Sequence, residues 1–498
     1  MTSSPHIQPT HLQSFFCGKW QDASGSQYTT TYPHDQSAVA TLHAGTVADV
    51  DAAVRFAEDS RHKPIWAGLL PHQRGHVLHR IADGIRARSD ELAMLQRLDN
   101  GKPVSECRAL VASAAGTFQY FGSVAETFES EVTPQRGAFL TMTLHEPLGV
   151  VAAITPWNSP IASEAQKIAP ALAAGCAIVI KPAEITPRMA LELAKIAQSA
   201  GLPDGILSVL PGKGSVVGDA LVKHPLVQRV AFTGGTNVGL GIARLAAEKL
   251  MPVSLELGGK SPTIVCADAD LDHAVAGVAY GIFSSSGESC VAGSRAFVHA
   301  SVYDEFKRRL LEVTKKIRVG DPMLESTQMG PLVTVQHRDG IERYIALGIS
   351  EGGKVLTGGK RPTDGALQAG NYLEPTIMEG LANSARMCRE EIFGPVLALL
   401  KWDDESQLIA AANDNDYGLA CGVWSTDYKT ALRLGKAITA GTVWVNTYKT
   451  FSISTPFTGF KMSGLGREKG AASIAEYTRA RSFYWGLNDQ PLPWIHTK

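Results

Sequence analysis

The stretch "SSGESCVAGSR" (285–295) sets one cysteine, Cys290, among small residues, with a carboxylate, Glu288, two positions before it. A free cysteine is more often a small buried hydrophobe than a nucleophile, and Cys176 and Cys266, in apolar runs, read that way. Around Cys290, however, Gly287, Ser289, Ala292 and Gly293 leave the thiol accessible. An exposed thiol whose pKa is lowered by nearby donors is the reactive kind. Two other segments carry groups that cysteine chemistry on a carbonyl would need. In "TPWNSP" (155–160), Asn158 can offer a neutral N–H to a developing oxyanion, although an asparagine after a strand is commonly a turn residue. In "SLELGGKSP" (254–262), Glu256 lies between leucines, where a carboxylate is costly unless protonated, paired or functional. The bland alternative turns Glu256 to solvent, but Gly258 and Gly259 beside it leave room for a ligand.

Two more stretches suit a dinucleotide. "FTGGTNVG" (232–239) follows a strand and opens a helix, so its glycines let backbone approach a phosphate at a helix amino end. It lacks the G-x-G-x-x-G spacing, and a tight strand–helix turn explains it equally well. "IVIKPAEITP" (178–187) ends a strand with Lys181 and Glu184, which could hold ribose hydroxyls, or form a solvated surface pair. A carboxylate at this point accepts from a ribose 2′-OH and repels a 2′-phosphate, which favours NAD over NADP.

These residues need elements to position them. Apolar, β-branched runs recur at 149–154, 177–181, 207–210, 229–234 and 253–259, with helical stretches between them. One helix is well marked: Thr186 as cap, Pro187 in the first turn, Gly201 at the end. Apolar strands alternating with helices predict an α/β fold, a doubly wound parallel sheet covered on both faces. Ligands in such sheets bind at the carboxyl ends of the strands, so Thr155 to Asn158, Lys181 to Glu184 and Gly234 to Gly239 are the expected site. Residues 50–125 read as mostly helical, and 260–460 alternate strand and helix again. Two detached strand-like segments, 137–147 and 481–487, suit pairing or subunit contacts.

Composition excludes several classes. Lys plus Arg is 47 against 48 Asp plus Glu, a formal charge of -1, so nothing calls for a nucleic-acid partner. The seven cysteines are widely spaced without a C-x-x-C, which argues against a disulfide framework or zinc knuckle and fits a reducing compartment. No metal site is expected. The polar start "MTSSPHIQPTHLQ" lacks a signal-peptide core, and no apolar run approaches the ~18 residues of a membrane span. The expected location is the cytoplasm.

Taken together, "TPWN", "KPAE", "FTGGTNVG", "LELGGKSP", "GESCVAGSR", "EEIFGPV" (390–396), "WVN" (444–446) and "FKMSGLGRE" (460–468) resemble the aldehyde dehydrogenase superfamily in order and spacing, over about residues 20–485. The likeness is to its hydrolytic NAD(P)-dependent branch. The resemblance implies that Cys290 attacks the aldehyde carbon to form a thiohemiacetal. It implies an oxyanion hole from Asn158 and the Cys290 backbone N–H, hydride transfer to NAD, and hydrolysis of the thioester by water that Glu256 activates. The acyl-CoA-forming branch, where a thiol replaces that water, needs no such base. By the same resemblance, Thr155, Trp157, Lys181, Glu184, Gly214, Phe232, Gly234, Gly235, Thr236, Val238, Gly239, Leu257, Glu391 and Phe393 would hold the cofactor. Lys181 and Glu184 would take the adenosine ribose, Val238 the adenine, and Glu391 and Phe393 the nicotinamide ribose. Implied domains are a cofactor domain (1–128 and 148–259), a catalytic domain (260–460) and bridging segments (129–147 and 461–498) that form a small β flap, with homodimers or homotetramers usual. NADP as the preferred cofactor and a non-catalytic protein on the same scaffold are the alternatives.

Some positions depart from the family pattern. Glu288 replaces a common glutamine, and its carboxylate either raises the thiol pKa or points away. Gly235 replaces a frequent serine, and "PFTGF" (456–460) departs mildly from a glycine pair. Ser159 stands where an aromatic is frequent, and Ser163, Glu164 and Gln166 where relatives carry bulky apolar groups. With Val291, Lys449, Phe451 and Phe457, Ser159, Ser163 and Gln166 would line a comparatively polar substrate tunnel, Lys449 at its mouth. The expected substrate is a polar or carboxylate-bearing aldehyde, such as a semialdehyde.

Overall fold

The computed structural model describes residues 9–489, so the outer ends of the expected 1–128 and 461–498 spans lie outside the described residues. Its first large sheet runs, by strand, Gly464–Leu465, Val253–Glu256, Val227–Thr233, Val150–Ile154, Ala177–Lys181, Leu207–Val209, Ser14–Phe16, Lys19–Gln21. The five apolar strands between 150 and 256 are all parallel. They are buried along nearly their whole length, so both faces carry apolar side chains under helices. The chain leaves the central strand Val150–Ile154 to one side and returns on its other side at Val227–Thr233. That reversal opens a crevice at the carboxyl ends of those two neighbours.

A second sheet has seven strands, ordered Lys354–Thr357, Thr376–Glu379, Val396–Trp402, Arg295–His299, Pro262–Val265, Ala420–Trp424, Thr442–Val445. Only its Lys354–Thr357 edge is antiparallel. The detached segments pair with each other: Phe139–Pro147 runs antiparallel to Thr478–Gly486, with Glu131–Val132 as a third strand. Tyr484 and Trp485 stay largely exposed there. The strand Gly464–Leu465 returns the late chain to the first sheet, pairing Gly464 with Glu256.

Helices fill 47–127 as expected. The marked helix spans Arg188–Ser199, and Thr186 does not cap it: Pro187 stands at that position and the buried Thr186 hydroxyl has no partner. The Asp99 carboxylate, from another helix, instead accepts the Arg188 N–H at 3.2 Å. A tertiary partner has taken over the local cap.

Candidate active site

Three loops meet at the crevice. Asn158 follows the strand Val150–Ile154, just before the helix Pro160–Ala174. Glu256 ends the strand Val253–Glu256. Cys290 lies in the turn before the strand Arg295–His299 of the second sheet. Close packing without side chains brings these loops together. A methyl group on Gly259 would meet the Cys290 carbonyl oxygen at 2.5 Å, and one on Gly287 would meet the Gly394 carbonyl at 2.2 Å. Gly287 also has φ +71, a left-handed backbone that favours glycine.

A cavity of about 240 Å³ opens between the sheets, lined by Pro156, Trp157, Asn158, Thr233 to Gly235, Glu256 to Gly258, Cys290, His337, Glu391 and Phe393. The three candidate catalytic side chains thus share one space. The Asn158 amide donates to the Glu288 carbonyl at 3.0 Å, which leaves its second N–H for another acceptor. The Cys290 N–H has no acceptor among the described residues. A larger groove of about 640 Å³ lies elsewhere, around Tyr303, Glu379 and Trp402, and none of the expected site residues lines it.

The electrostatics correct the expected thiol. Cys290 is only partly exposed, and burial, followed by the nearby Glu391 and Glu256 carboxylates, pushes its pKa up to about 12; Lys449 and the Val291 N–H act the other way. Glu288 does not contribute. Its carboxylate points away from Cys290, accepting the Val333 N–H at 2.8 Å, with burial pushing its pKa up to about 8. Glu256 is buried without a hydrogen-bond partner, and burial and the neighbouring Glu468 hold its pKa well above the carboxylate range. Glu468 is ion-paired to the fully buried Lys167, whose ammonium also donates to Thr233 Oγ1 at 2.6 Å. Glu391 accepts the Gly259 N–H at 3.0 Å, and burial lifts its pKa to about 7.

Several cofactor candidates sit around this crevice. Trp157 packs edge-on against Phe393 and His337, with ring centroids 5.3 and 5.4 Å away. Thr155 and Lys181 are buried at the ends of adjacent strands, and Glu184 is half-buried just beyond. The Lys181 ammonium donates to the Pro182 and Gly212 carbonyls rather than to Glu184, and burial lowers its pKa to about 8. Gly235 precedes the helix Thr236–Ala247, and neither it nor Gly214 has an atom within 4 Å of where a Cβ would stand. Val238, on the first turn of that helix, is 58% exposed. Phe232 belongs to the hydrophobic core. Gly239 packs under Leu257, which a Cβ would strike at 2.4 Å.

The tunnel candidates divide. Val291 and Phe457 pack with Cys290 against Leu419, Ala420, Trp444 and Tyr448, and Phe451 packs on Phe457 and Trp444. Ser159 precedes the helix Pro160–Ala174, in which Ser163 is buried and Gln166 half-buried, and none of the three lines the cavity. Glu164 is turned inward: it is wholly buried without a partner, and burial, then the nearby Asp99, pushes its pKa well above the carboxylate range. It does not make the tunnel polar. Lys449 is not a free mouth lysine; its ammonium donates to Ser284 Oγ at 2.8 Å.

His337, Lys167 and Lys469 escape a motif reading of the sequence, and Glu468 ends the quoted motif 460–468 without a role read for it. His337 Nε2 donates to the Phe393 carbonyl at 2.8 Å, and Phe393 has φ +57. For Lys167 a signal existed, since a lysine inside the apolar "IASEAQKIAPALAAG" needs a buried anion.

A sequence description of the aldehyde dehydrogenase family matches residues 20–483. Among solved structures, an NAD-dependent aldehyde dehydrogenase from Sinorhizobium meliloti is 36% identical, with TM-score 0.96, covering 99% of this chain and 98% of its own. The NAD+ complex of an aldehyde dehydrogenase from Bacillus cereus is 36% identical, with TM-score 0.94, covering 96% and 97%. PnpE from Pseudomonas sp. WBC-3 is 40% identical, with TM-score 0.94, covering 98% and 100%.

Proposed function

The chain belongs to the aldehyde dehydrogenase family, and from that premise we propose that it oxidises a polar or carboxylate-bearing aldehyde to the acid, using NAD, through Cys290, Asn158 and Glu256. The observation that carries the reading is the shared lining of one cavity by these three side chains.

Each side chain has a role its surroundings support. The Cys290 sulfur attacks the carbonyl carbon and its proton leaves. Charge growing on the carbonyl oxygen is met by the second Asn158 N–H and the unpartnered Cys290 N–H. NAD, when bound, supplies the hydride acceptor and the positive charge of its oxidised nicotinamide. Water then cleaves the thioester on Cys290, and Glu256 takes its proton. Glu468, ion-paired to Lys167, lies next to Glu256 and offers the proton a route onward.

The residues fit the cofactor. Open space above Gly235 at a helix start suits a pyrophosphate, an exposed Val238 suits the flat face of adenine, and Glu184 suits an unphosphorylated ribose. Glu391, Phe393 and Trp157 would bound the nicotinamide end. The cofactor domain is proposed as 1–128 with 148–259, the catalytic domain as 260–460, and the flap as 129–147 with 461–498. The exposed aromatic end of Thr478–Gly486 supports a homo-oligomer. Widely spaced free cysteines support the cytoplasm.

NADH absorbance with purified protein, NAD and a short aldehyde tests the reading. Activity is expected, and it disappears in Cys290→Ala; a turnover unchanged by that substitution overturns the role of Cys290.

A further inference from the structure

Lys469 follows Glu468 in "GREKG" and is held against the aromatic wall beside Cys290. The backbones of Glu468 and Phe457 exchange two hydrogen bonds of 2.7 and 2.8 Å, and the Gly470 N–H donates to the Ile453 carbonyl at 2.8 Å. These bonds fasten residues 468–470 to the loop that carries Phe451 and Phe457. Lys469 and Gly470 both have positive φ, 57° and 64°, and a non-glycine residue held there points to a position its surroundings over-determine.

The ammonium of Lys469 is the unusual feature. The residue is only 7% exposed, yet its Nζ makes no hydrogen bond or ion pair among the described residues. It stands 4.2 Å from the Phe451 ring centroid and 5.4 Å from that of Phe457. Aromatic faces offer a cation far less than a desolvated anion would. Three other lysines near the site have partners: Lys167 has Glu468, Lys181 two carbonyls and Lys449 Ser284. Phe457 in turn packs with Cys290 in one apolar cluster, so Lys469, the Phe457 ring and Cys290 are successive neighbours.

Resting on the reading that Cys290 attacks an aldehyde, we infer that Lys469 binds the far carboxylate of the substrate, with Phe451 and Phe457 flanking the carbon chain between. One amine balances one negative charge. The neighbouring Glu468 carboxylate, ion-paired to Lys167, disfavours a phosphate dianion more than a carboxylate monoanion. The substrate class is therefore an ω-carboxylate aldehyde, and Lys469, rather than Lys449, selects it.

The test measures kcat/KM with NAD for pairs of equal length, an n-alkanal and the ω-carboxylate aldehyde with four, five and six carbons. The unmodified protein should favour the charged member of at least one pair tenfold or more. Lys469→Met should cut that ratio at least tenfold, chiefly through KM, and Lys469→Arg should restore most of it. A ratio unchanged in Lys469→Met, or charged and uncharged substrates falling equally, overturns the inference. A second measurement does not depend on variants folding: in the unmodified protein, short alkanedioates should protect Cys290 from iodoacetamide at concentrations tenfold below those of equal-length diols, and equal protection also overturns it. NADH from alkanals with no preference for charge defeats this inference alone; no NADH from any aldehyde defeats the functional reading with it.

Discussion

The side-chain amide of Asn158 donates to the backbone carbonyl of Glu288 at 3.0 Å, across 130 residues of sequence. This bond ties the loop after the strand Val150–Ile154, which carries the proposed oxyanion donor, to the turn before Arg295–His299, which carries the proposed nucleophile. One of the two amide hydrogens sets the position and the other is free for the oxyanion. Replacing Asn158 with alanine removes both. Asn158→Ala should lower kcat by about 10²–10³, with KM for NAD little changed, as steady-state kinetics will show. An undiminished kcat would remove Asn158 from the oxyanion hole.

The proposed mechanism gives Glu256 hydrolysis and not attack, so its loss should separate the two. In Glu256→Gln a rapid-mixing experiment should show one equivalent of NADH per site, followed by turnover slower by about 10²–10⁴. Because burial and Glu468 raise the Glu256 pKa, less carboxylate is present at neutral pH than an ordinary glutamate would supply. Hydrolysis in the unmodified enzyme should therefore quicken as pH rises. A Glu256→Gln enzyme without a burst would assign Glu256 an earlier step.

How far these roles are legible in the sequence depends on how local their signals are. Asn158, Glu256 and Cys290 each stand in a short motif whose small neighbours make room, and the parallel sheet announces itself through apolar runs. Burial is not local. The Cys290 thiol is pushed up first by its burial and then by the carboxylates of residues 391 and 256, and no inspection of 285–295 could show it. Glu164 stands between the tunnel candidates Ser163 and Gln166 and departs from the family pattern with them, yet it turns toward Asp99 and the interior. Lys469 becomes conspicuous only when the 468–470 backbone is found fastened to the Phe457 loop.

The pKa of Cys290 makes a direct prediction. With a value near 12, the thiolate fraction in the enzyme without cofactor should rise about tenfold per pH unit across the neutral range. Iodoacetamide inactivation should follow that slope from pH 6 to 9. Addition of NAD should accelerate it at fixed pH, since a positive charge beside the sulfur favours the thiolate. A rate that levels off below pH 8 without cofactor would contradict the buried, acid-flanked thiol.

The proposed role of Glu184 is to set the cofactor preference. It stands half-buried beyond the strand Ala177–Lys181 and accepts no hydrogen bond among the described residues. The unmodified enzyme should favour NAD over NADP, and Glu184→Ser should narrow the kcat/KM ratio by about tenfold or more, since one unfavourable charge contact is worth ~1–2 kcal/mol. A preference for NADP before substitution would refute the ribose assignment.

Glu288 makes stability fall as the solution becomes alkaline. Its folded pKa, about 8, lies above the ordinary 4.5 because burial disfavours the carboxylate more than the Val333 N–H and Lys102 favour it. A raised pKa means the folded protein holds a proton the unfolded chain has released. The stability this group contributes is thus complete below about pH 4.5 and declines as pH climbs through about 8. Glutamine keeps an acceptor for the Val333 N–H, bonded at 2.8 Å, and never ionises. Glu288→Gln should therefore match the unmodified protein near pH 5 and exceed it by ~1–3 kcal/mol at pH 9, measured by urea denaturation at both values. The backbone carbonyl that holds Asn158 is untouched by the change, so NADH formation at pH 7 should persist. An alkaline stability of Glu288→Gln below that of the unmodified protein would mean the carboxylate is charged and paired in the fold, and its pH dependence would then run the opposite way.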